Sequence, residues 1–153
     1  MNNVEMVEQS LNHILDGIYD ATFRRMAYIH LYGVAQASVL LAKKRGLNEE
    51  LCIIAALLHD LYTYKNNTSK DHAQKGALLA RELLDELQIL DDKNVDVICN
   101  AIYHHSDKAK IHDLYSEVLK DADVLQRALY NGVYKEDEKE RFYAIQKELN
   151  IAV

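Results

Sequence analysis

The apolar run Leu51-Cys52-Ile53-Ile54-Ala55-Ala56-Leu57-Leu58 ends on an adjacent histidine and aspartate, His59 and Asp60. A segment that is apolar all round packs inside a protein, so both ionisable side chains stand at the end of a core helix. An unpaired charge there costs several kcal/mol, and a divalent metal ion is the partner that suits imidazole and carboxylate together.

Further ionisable residues fall on apolar stripes. His30 shares one with Val34, Ala37 and Leu41, and His72 shares a face with Gly76, Leu79 and Leu83. Val95, Ile98, Ile102 and His105 continue a fourth helical stripe with His104 one step round, so at least one of these two histidines turns inward. Asp123 lies beside the stripe of Val118, Ala122, Leu125 and Leu129. Taken singly, each reads as an ordinary core histidine or a salt-bridged carboxylate. Five predicted helices that each direct a His or Asp inward are harder to ascribe to coincidence. Imidazole nitrogen and carboxylate oxygen without thiolate suit one or two divalent transition ions, Mn²⁺, Fe²⁺, Co²⁺ or Ni²⁺, and less specifically Zn²⁺ or Mg²⁺. His13 and His112 fit no inward pattern and read as surface residues, while Cys52 and Cys99 read as core packing.

The elements that must position these groups are helical. Apolar residues recur at helical spacing, and the chain has no proline and 5 glycines. The expected fold is therefore all-α, a single-domain helical bundle of about six or seven helices over 1–153. A first helix carries Val4, Val7, Leu11, Ile14 and Ile18; a second, over about 24–45, stops at Gly46. Asn48 with Glu49 and Glu50 caps the third, which ends at His59 and Asp60. The stretch 62–69, with Lys65-Asn66-Asn67-Thr68, reads as a loop beside the His-Asp pair. Further helices are expected over about 70–87, 92–105, 116–130 and 136–149. In the last, Phe142, Ile145 and Leu149 can cap the core or meet a second copy of the chain, as in a homodimer.

With 18 basic against 24 acidic residues the net charge is -6, which argues against a nucleic-acid polymer or an anionic membrane surface as partner. A small phosphorylated ligand needs only a local positive site. No apolar run approaches the roughly 20 residues of a bilayer span, and residues 1–5 lack a basic flank and an apolar stretch. The expectation is a soluble, cytoplasmic protein.

The order of these residues resembles the HD superfamily of metal-dependent phosphohydrolases. The match runs from His30 through Ala55-Ala56-Leu57-Leu58-His59-Asp60 to Lys120-Asp121-Ala122-Asp123-Val124-Leu125, over about 24–130, and looks like that family's H…HD…D signature. Asp71-His72 with Gly76-Ala77, and Ala101-Ile102-Tyr103-His104-His105, resemble the extra histidines of members that bind two metals. Those include the HD-type diadenosine tetraphosphate hydrolases and, more distantly, cyclic dinucleotide phosphodiesterases. The resemblance implies a first metal held by His30, His59, Asp60 and Asp123. A second would use His72 and His105 or His104, with Asp60 bridging. It further implies hydrolysis of a phosphoester or phosphoanhydride of a small nucleotide or related metabolite by a metal-bound hydroxide.

The chain departs from relatives in two places. Nucleotidase and alarmone-hydrolase branches carry an acidic residue about three positions beyond the HD pair, where Leu61-Tyr62-Thr63-Tyr64 stands here. Ser106-Asp107-Lys108 replaces the GYP motif of the cyclic dinucleotide enzymes, so that substrate does not carry over. Lys65, Lys108 and Lys120 are the basic residues nearest the motifs and are candidates to clamp phosphates. Asp107 is a candidate to activate water or orient a ligand histidine. Tyr62, Tyr64 and Tyr103 flank the motifs, where a ring can stack on a base. Gly33 and Gly76 share faces with His30 and His72, leaving room for close packing or for a metal cluster. Two competing readings are a non-catalytic nucleotide-binding or regulatory HD domain, which the missing acid favours, and a di-iron oxygenase resembling the inositol oxygenase type.

Overall fold

Asn, Asp and Gly punctuate this chain as caps, and the helices run between them. The computed structural model describes residues 1–152. These form α1 (Asn3–Asp16), α2 (Ala21–Arg45), α3 (Glu49–Leu58), α4 (Leu61–Asn66), α5 (His72–Leu87), α6 (Asp92–His104), α7 (Leu114–Asn131), a 3-10 turn (Glu136–Glu138) and α8 (Lys139–Leu149). No strand occurs among the described residues, so the fold is all-α. The side chains of Asn2, Asp20, Asn48, Asp91 and Asp113 each accept from a backbone N–H in the first turn that follows. Gly46 and Gly132 close α2 and α7 at φ 67° and 71°, the left-handed conformation that favours glycine.

The long α2 lies against α3 and α7, α5 lies on α6, and α3 and α7 both meet α6. Leu31, Val34 and Leu41 of α2, Ile54, Leu57 and Leu58 of α3, and Ile98 and Ile102 of α6 are fully buried in the shared core. Each contributes about 1.5–3 kcal/mol of burial. No helix among the described residues is long and apolar enough to cross a membrane.

Two expectations are corrected, and one left open is resolved. The stretch expected as a loop over 62–69 is largely helix α4, because Leu61 is buried and Tyr64 packs its ring 5.3 Å from Phe23, which fixes the turn in place. The chain breaks only at Asn67, in the left-handed region at φ 50°. Leu129 does not continue the inward stripe of α7 but is 67% exposed, since α7 outruns the core near its end. Phe142 and Ile145 are buried against the protein's own core, so the stripe in α8 caps that core.

Candidate metal centre

Helix α3 ends at Leu58 and α4 begins at Leu61, so His59 and Asp60 occupy the joint between two helices. Asp60 adopts φ −111° and ψ 11°, outside the helical region. His30 reaches this joint from the middle of α2, His72 from the start of α5, His105 from the end of α6, and Asp123 from the middle of α7. Gly76 lets α5 come close: a Cβ there would stand 3.3 Å from the His59 carbonyl oxygen.

The two Asp60 oxygens divide the imidazoles into pairs. Oδ2 lies 3.2 Å from His30 Nε2 and 3.3 Å from His59 Nε2. Oδ1 lies 3.1 Å from His105 Nε2 and 3.5 Å from His72 Nε2. Asp123 Oδ1 joins the first pair, 3.4 Å from His30 Nε2. Two triads, His30-His59-Asp60 and Asp60-His72-His105, thus share one carboxylate.

The other ring nitrogen of every histidine is committed. Nδ1 donates to the Ala56 carbonyl in His59 (2.6 Å), the Ile102 carbonyl in His105 (2.6 Å), the Ser69 carbonyl in His72 (2.9 Å) and Gln126 Oε1 in His30 (2.8 Å). An oxygen of this kind only accepts, so the hydrogen sits on Nδ1 and each Nε2 of a neutral ring presents a lone pair. His30 and His59 then face Nε2 to Nε2 at 3.2 Å, as do His72 and His105. Lone pairs so close, with carboxylate oxygens beside them, need a cation or a proton between them. Anchoring one ring nitrogen so that the other is free for a metal is the usual arrangement of histidine ligands.

Electrostatics agree with an acceptor cluster. Burial opposes charge on His30, yet Asp60, Asp123 and Gln126 outweigh it and raise its pKa. Burial also opposes ionisation of Asp60, but the imidazoles led by His59 hold its carboxyl well below the ordinary range. For Asp123 burial is overcome chiefly by Lys108, then His59 and Arg127, and the carboxyl is held low. Protons and metal ions compete for the same lone pairs at such a site. Burial first, then Asp60 and Asp123, pushes the Tyr64 phenol up, so it stays neutral.

A cavity of about 440 Å³ opens over the cluster, within the range of small-molecule sites. Met26, Ile29, Tyr64 and Tyr130 line it together with Lys108, Arg127 and residues of the segment 131–138. Lys108 Nζ is 2.6 Å from Asp123 Oδ2. The remaining sequence candidates lie elsewhere. Lys120 is completely buried and cannot clamp a ligand; its ammonium meets the Lys110 carbonyl at 3.0 Å, His112 Nδ1 at 2.5 Å and Glu117 at 2.7 Å. Lys65 is exposed and borders two other hollows beside α1, because the helical turn of α4 carries it away from Asp60. Asp107 pairs with Lys110 at 3.4 Å and does not line the cavity. Of the two adjacent histidines, His105 joins the cluster, whereas His104 stacks on a half-buried His112 with ring centroids 3.9 Å apart. Tyr64 alone of the three flanking tyrosines lines the cavity; Tyr103 is exposed and Tyr62 lies under Lys75.

Sequence reasoning passed over Gln126, Arg127 and Glu138. The first two follow Asp123 by three and four positions on one face of α7, a spacing that marks them as neighbours. Glu138 carries no such signal, because it arrives through the 3-10 turn.

A model of the HD domain family matches residues 27–128, more than half of the chain, and the protein belongs to that family. Its fold is similar to the crystal structure, at 1.45 Å resolution, of a predicted HD superfamily hydrolase from an uncultured Thermotogales bacterium. The two are 22% identical with a TM-score of 0.63, over 98% of this chain and 96% of the other. No curated protein matches the chain by sequence. Family membership and the two His/Asp triads together point to binding of a divalent metal.

Proposed function

We propose that this protein is a metal-dependent phosphohydrolase that cleaves a phosphoester or phosphoanhydride of a small phosphorylated metabolite, with a nucleotide the leading class. The donor set carries this reading: four imidazoles have their Nδ1 hydrogens engaged, and four Nε2 lone pairs converge on a divided carboxylate. Membership of the HD domain family supports it.

His30, His59, Asp60 and Asp123 would hold one ion, and His72, His105 and Asp60 a second. Mixed nitrogen and oxygen donors suit Mn²⁺, Fe²⁺, Co²⁺ or Ni²⁺ best. Bound there, such ions supply Lewis acidity toward phosphoryl oxygens and lower the pKa of water. Asp60 keeps both oxygens turned inward, and the Nδ1 hydrogen bonds hold the rings in orientation while the helix ends stay closed. Lys108 and Arg127 border the cavity beside Asp123, where they can hold the oxygens of a phosphate that does not react. Met26, Ile29 and Tyr64 offer an apolar wall to a base or sugar.

The test is elemental analysis of protein purified without added metal or affinity tag, for wild type and Asp60→Ala. A phosphoester panel with Mn²⁺, Co²⁺ and Ni²⁺ follows. Near-stoichiometric metal that the variant loses, with phosphate release from a panel member, supports the reading. Protein that neither retains nor takes up these ions sinks it. The absence of an acid from Leu61-Tyr62-Thr63-Tyr64, after the His59-Asp60 pair, favours one alternative, a nucleotide-binding domain without turnover. Nucleotide binding with no phosphate release across the panel would establish that case.

A further inference from the structure

Lys108 and Arg127 stand between two carboxylates. Lys108 Nζ is 2.6 Å from Asp123 Oδ2 and 3.9 Å from Glu138 Oε1. Arg127 Nη2 donates to Glu138 Oε1 at 2.8 Å, while its contacts with the two Asp123 oxygens are both 3.4 Å. Glu138 is only 2% exposed, and its second oxygen accepts from the Lys135 backbone N–H at 3.1 Å. It lies beyond the segment that matches the family, which ends at 128. Desolvating a carboxylate costs several kcal/mol, so its burial here requires partners of comparable strength.

The distances describe a competition for the guanidinium. Asp123 Oδ2 is engaged by Lys108, and Oδ1 faces His30 Nε2 at 3.4 Å. A guanidinium released from Glu138 has one other carboxylate at hand, Asp123, whose two oxygens it already meets at a long 3.4 Å, and its fork geometry favours closing on both of them. Asp123 Oδ1 would then turn from the histidines to Arg127. Charge acts in the same direction: two cations are matched by Asp123 and Glu138, and loss of Glu138 leaves a surplus positive charge beside a cation site.

We propose that Glu138 is a positioning residue of the metal centre: it holds the Arg127 guanidinium at a long 3.4 Å from Asp123, against 2.8 Å to itself, and so keeps Asp123 Oδ1 available to the ion held with His30, His59 and Asp60. This inference rests on the metal-centre reading above and adds to it a residue from outside the family-matched segment.

The experiment is competitive titration of Co²⁺ into metal-free full-length protein, for wild type, Asp60→Ala, Glu138→Gln, Arg127→Met and the double variant Arg127→Met/Glu138→Gln. Glutamine keeps the size of the side chain and an oxygen for the Lys135 N–H but loses the charge. Affinity for the first ion should fall by about tenfold or more in Glu138→Gln, the range typical for partners of ligand residues. The double variant should recover most of that loss, because the competing guanidinium is gone. Wild-type affinity in Glu138→Gln overturns the proposal, and so does a double variant as weak as the single. Unfolding in EDTA reports whether each variant folds. If Glu138→Gln does not, Arg127→Met decides: binding at least as tight as wild type supports the proposal, and weaker binding overturns it. Absence of binding by wild type itself would instead overturn the metal centre, a result that the comparison with Asp60→Ala keeps distinct.

Discussion

Gly33→Ala should weaken metal binding while leaving the stability of the metal-free protein nearly unchanged. A Cβ at position 33 would come 2.8 Å from Gln126 Cγ and 3.1 Å from its Nε2, so the Gln126 side chain must move. That side chain supplies the oxygen that accepts from His30 Nδ1 at 2.8 Å. Alanine is favoured over glycine inside a helix by about 1 kcal/mol, and loss of the Gln126–His30 hydrogen bond withdraws about 1 kcal/mol. The two nearly cancel, so urea unfolding in EDTA should change by less than about 1 kcal/mol. Metal affinity has no such offset: a ligand histidine without its orienting partner loses about 10–100-fold, or about 1.4–2.8 kcal/mol. Gln126→Ala closes the cycle. Since the steric effect passes through Gln126, adding Gly33→Ala to Gln126→Ala should lose no further affinity and should gain the helix increment of about 1 kcal/mol. Wild-type Co²⁺ affinity in Gly33→Ala, or affinity losses that add in the double variant, would refute the reasoning.

Three further outcomes follow from the same geometry. Mn²⁺ or Co²⁺ at 100 times its Kd should stabilise the fold by about 2.7 kcal/mol, which for this chain length is a rise in Tm of about 5–10 °C; scanning fluorimetry should find no such rise in Asp60→Ala. In metal-free protein, Arg45 holds the Glu148 carboxyl low, and Lys120 and Arg141 do the same for Glu117 against the opposing effect of burial. Folded protein then binds fewer protons than unfolded, so this stability is complete above the ordinary glutamate value of 4.5 and is lost as pH falls through the depressed folded values. Glu148→Gln should shrink the acid-induced fall in Tm, and an unchanged profile would count against the Arg45 pairing. Lys120→Met removes the donor to three acceptors and should destabilise by about 3 kcal/mol in urea unfolding, whereas a neutral result would show that the buried ammonium is dispensable.

The all-helical fold was legible because apolar spacing, caps and glycine stops agree along the chain, as at Asn48 before α3 and Gly46 after α2. The residues that converge on Asp60 were legible because His30, His72 and His105 keep the register of inward apolar stripes, His59 ends an apolar run, and Asp123 sits among apolar neighbours beside a stripe. What sequence could not resolve depends on tertiary context. Polar Lys65-Asn66-Asn67 resembles a loop, but the buried Leu61 and the packing of Tyr64 on Phe23 extend a helix over most of it. Lys120 looks like a surface cation until the 107–113 segment folds back to surround it with acceptors. Whether His104 or His105 turns inward depends on where α6 stops, one residue before His105. Glu138 is one acidic residue among many in a charged stretch, and only its ion pair with Arg127 sets it apart.

The anchoring of the histidine rings also ties the metal centre to the ends of helices. His59 and His105 donate to carbonyls three residues back, in the last turns of α3 and α6, where a helix runs out of its own amide donors. His72 makes the same contact with the turn that opens α5. The His59 and His105 rings are thus caps as well as candidate ligands, and their alanine variants should lose about 1 kcal/mol of helix-end stability even without metal. Fraying of a last turn swings its ring out of the cluster, and an ion that grips the ring must slow that fraying. With an ion held there, its departure and the opening of the helix ends would become one event, and amide exchange in the final turns of α3 and α6 would act as a clock for how long the ion stays.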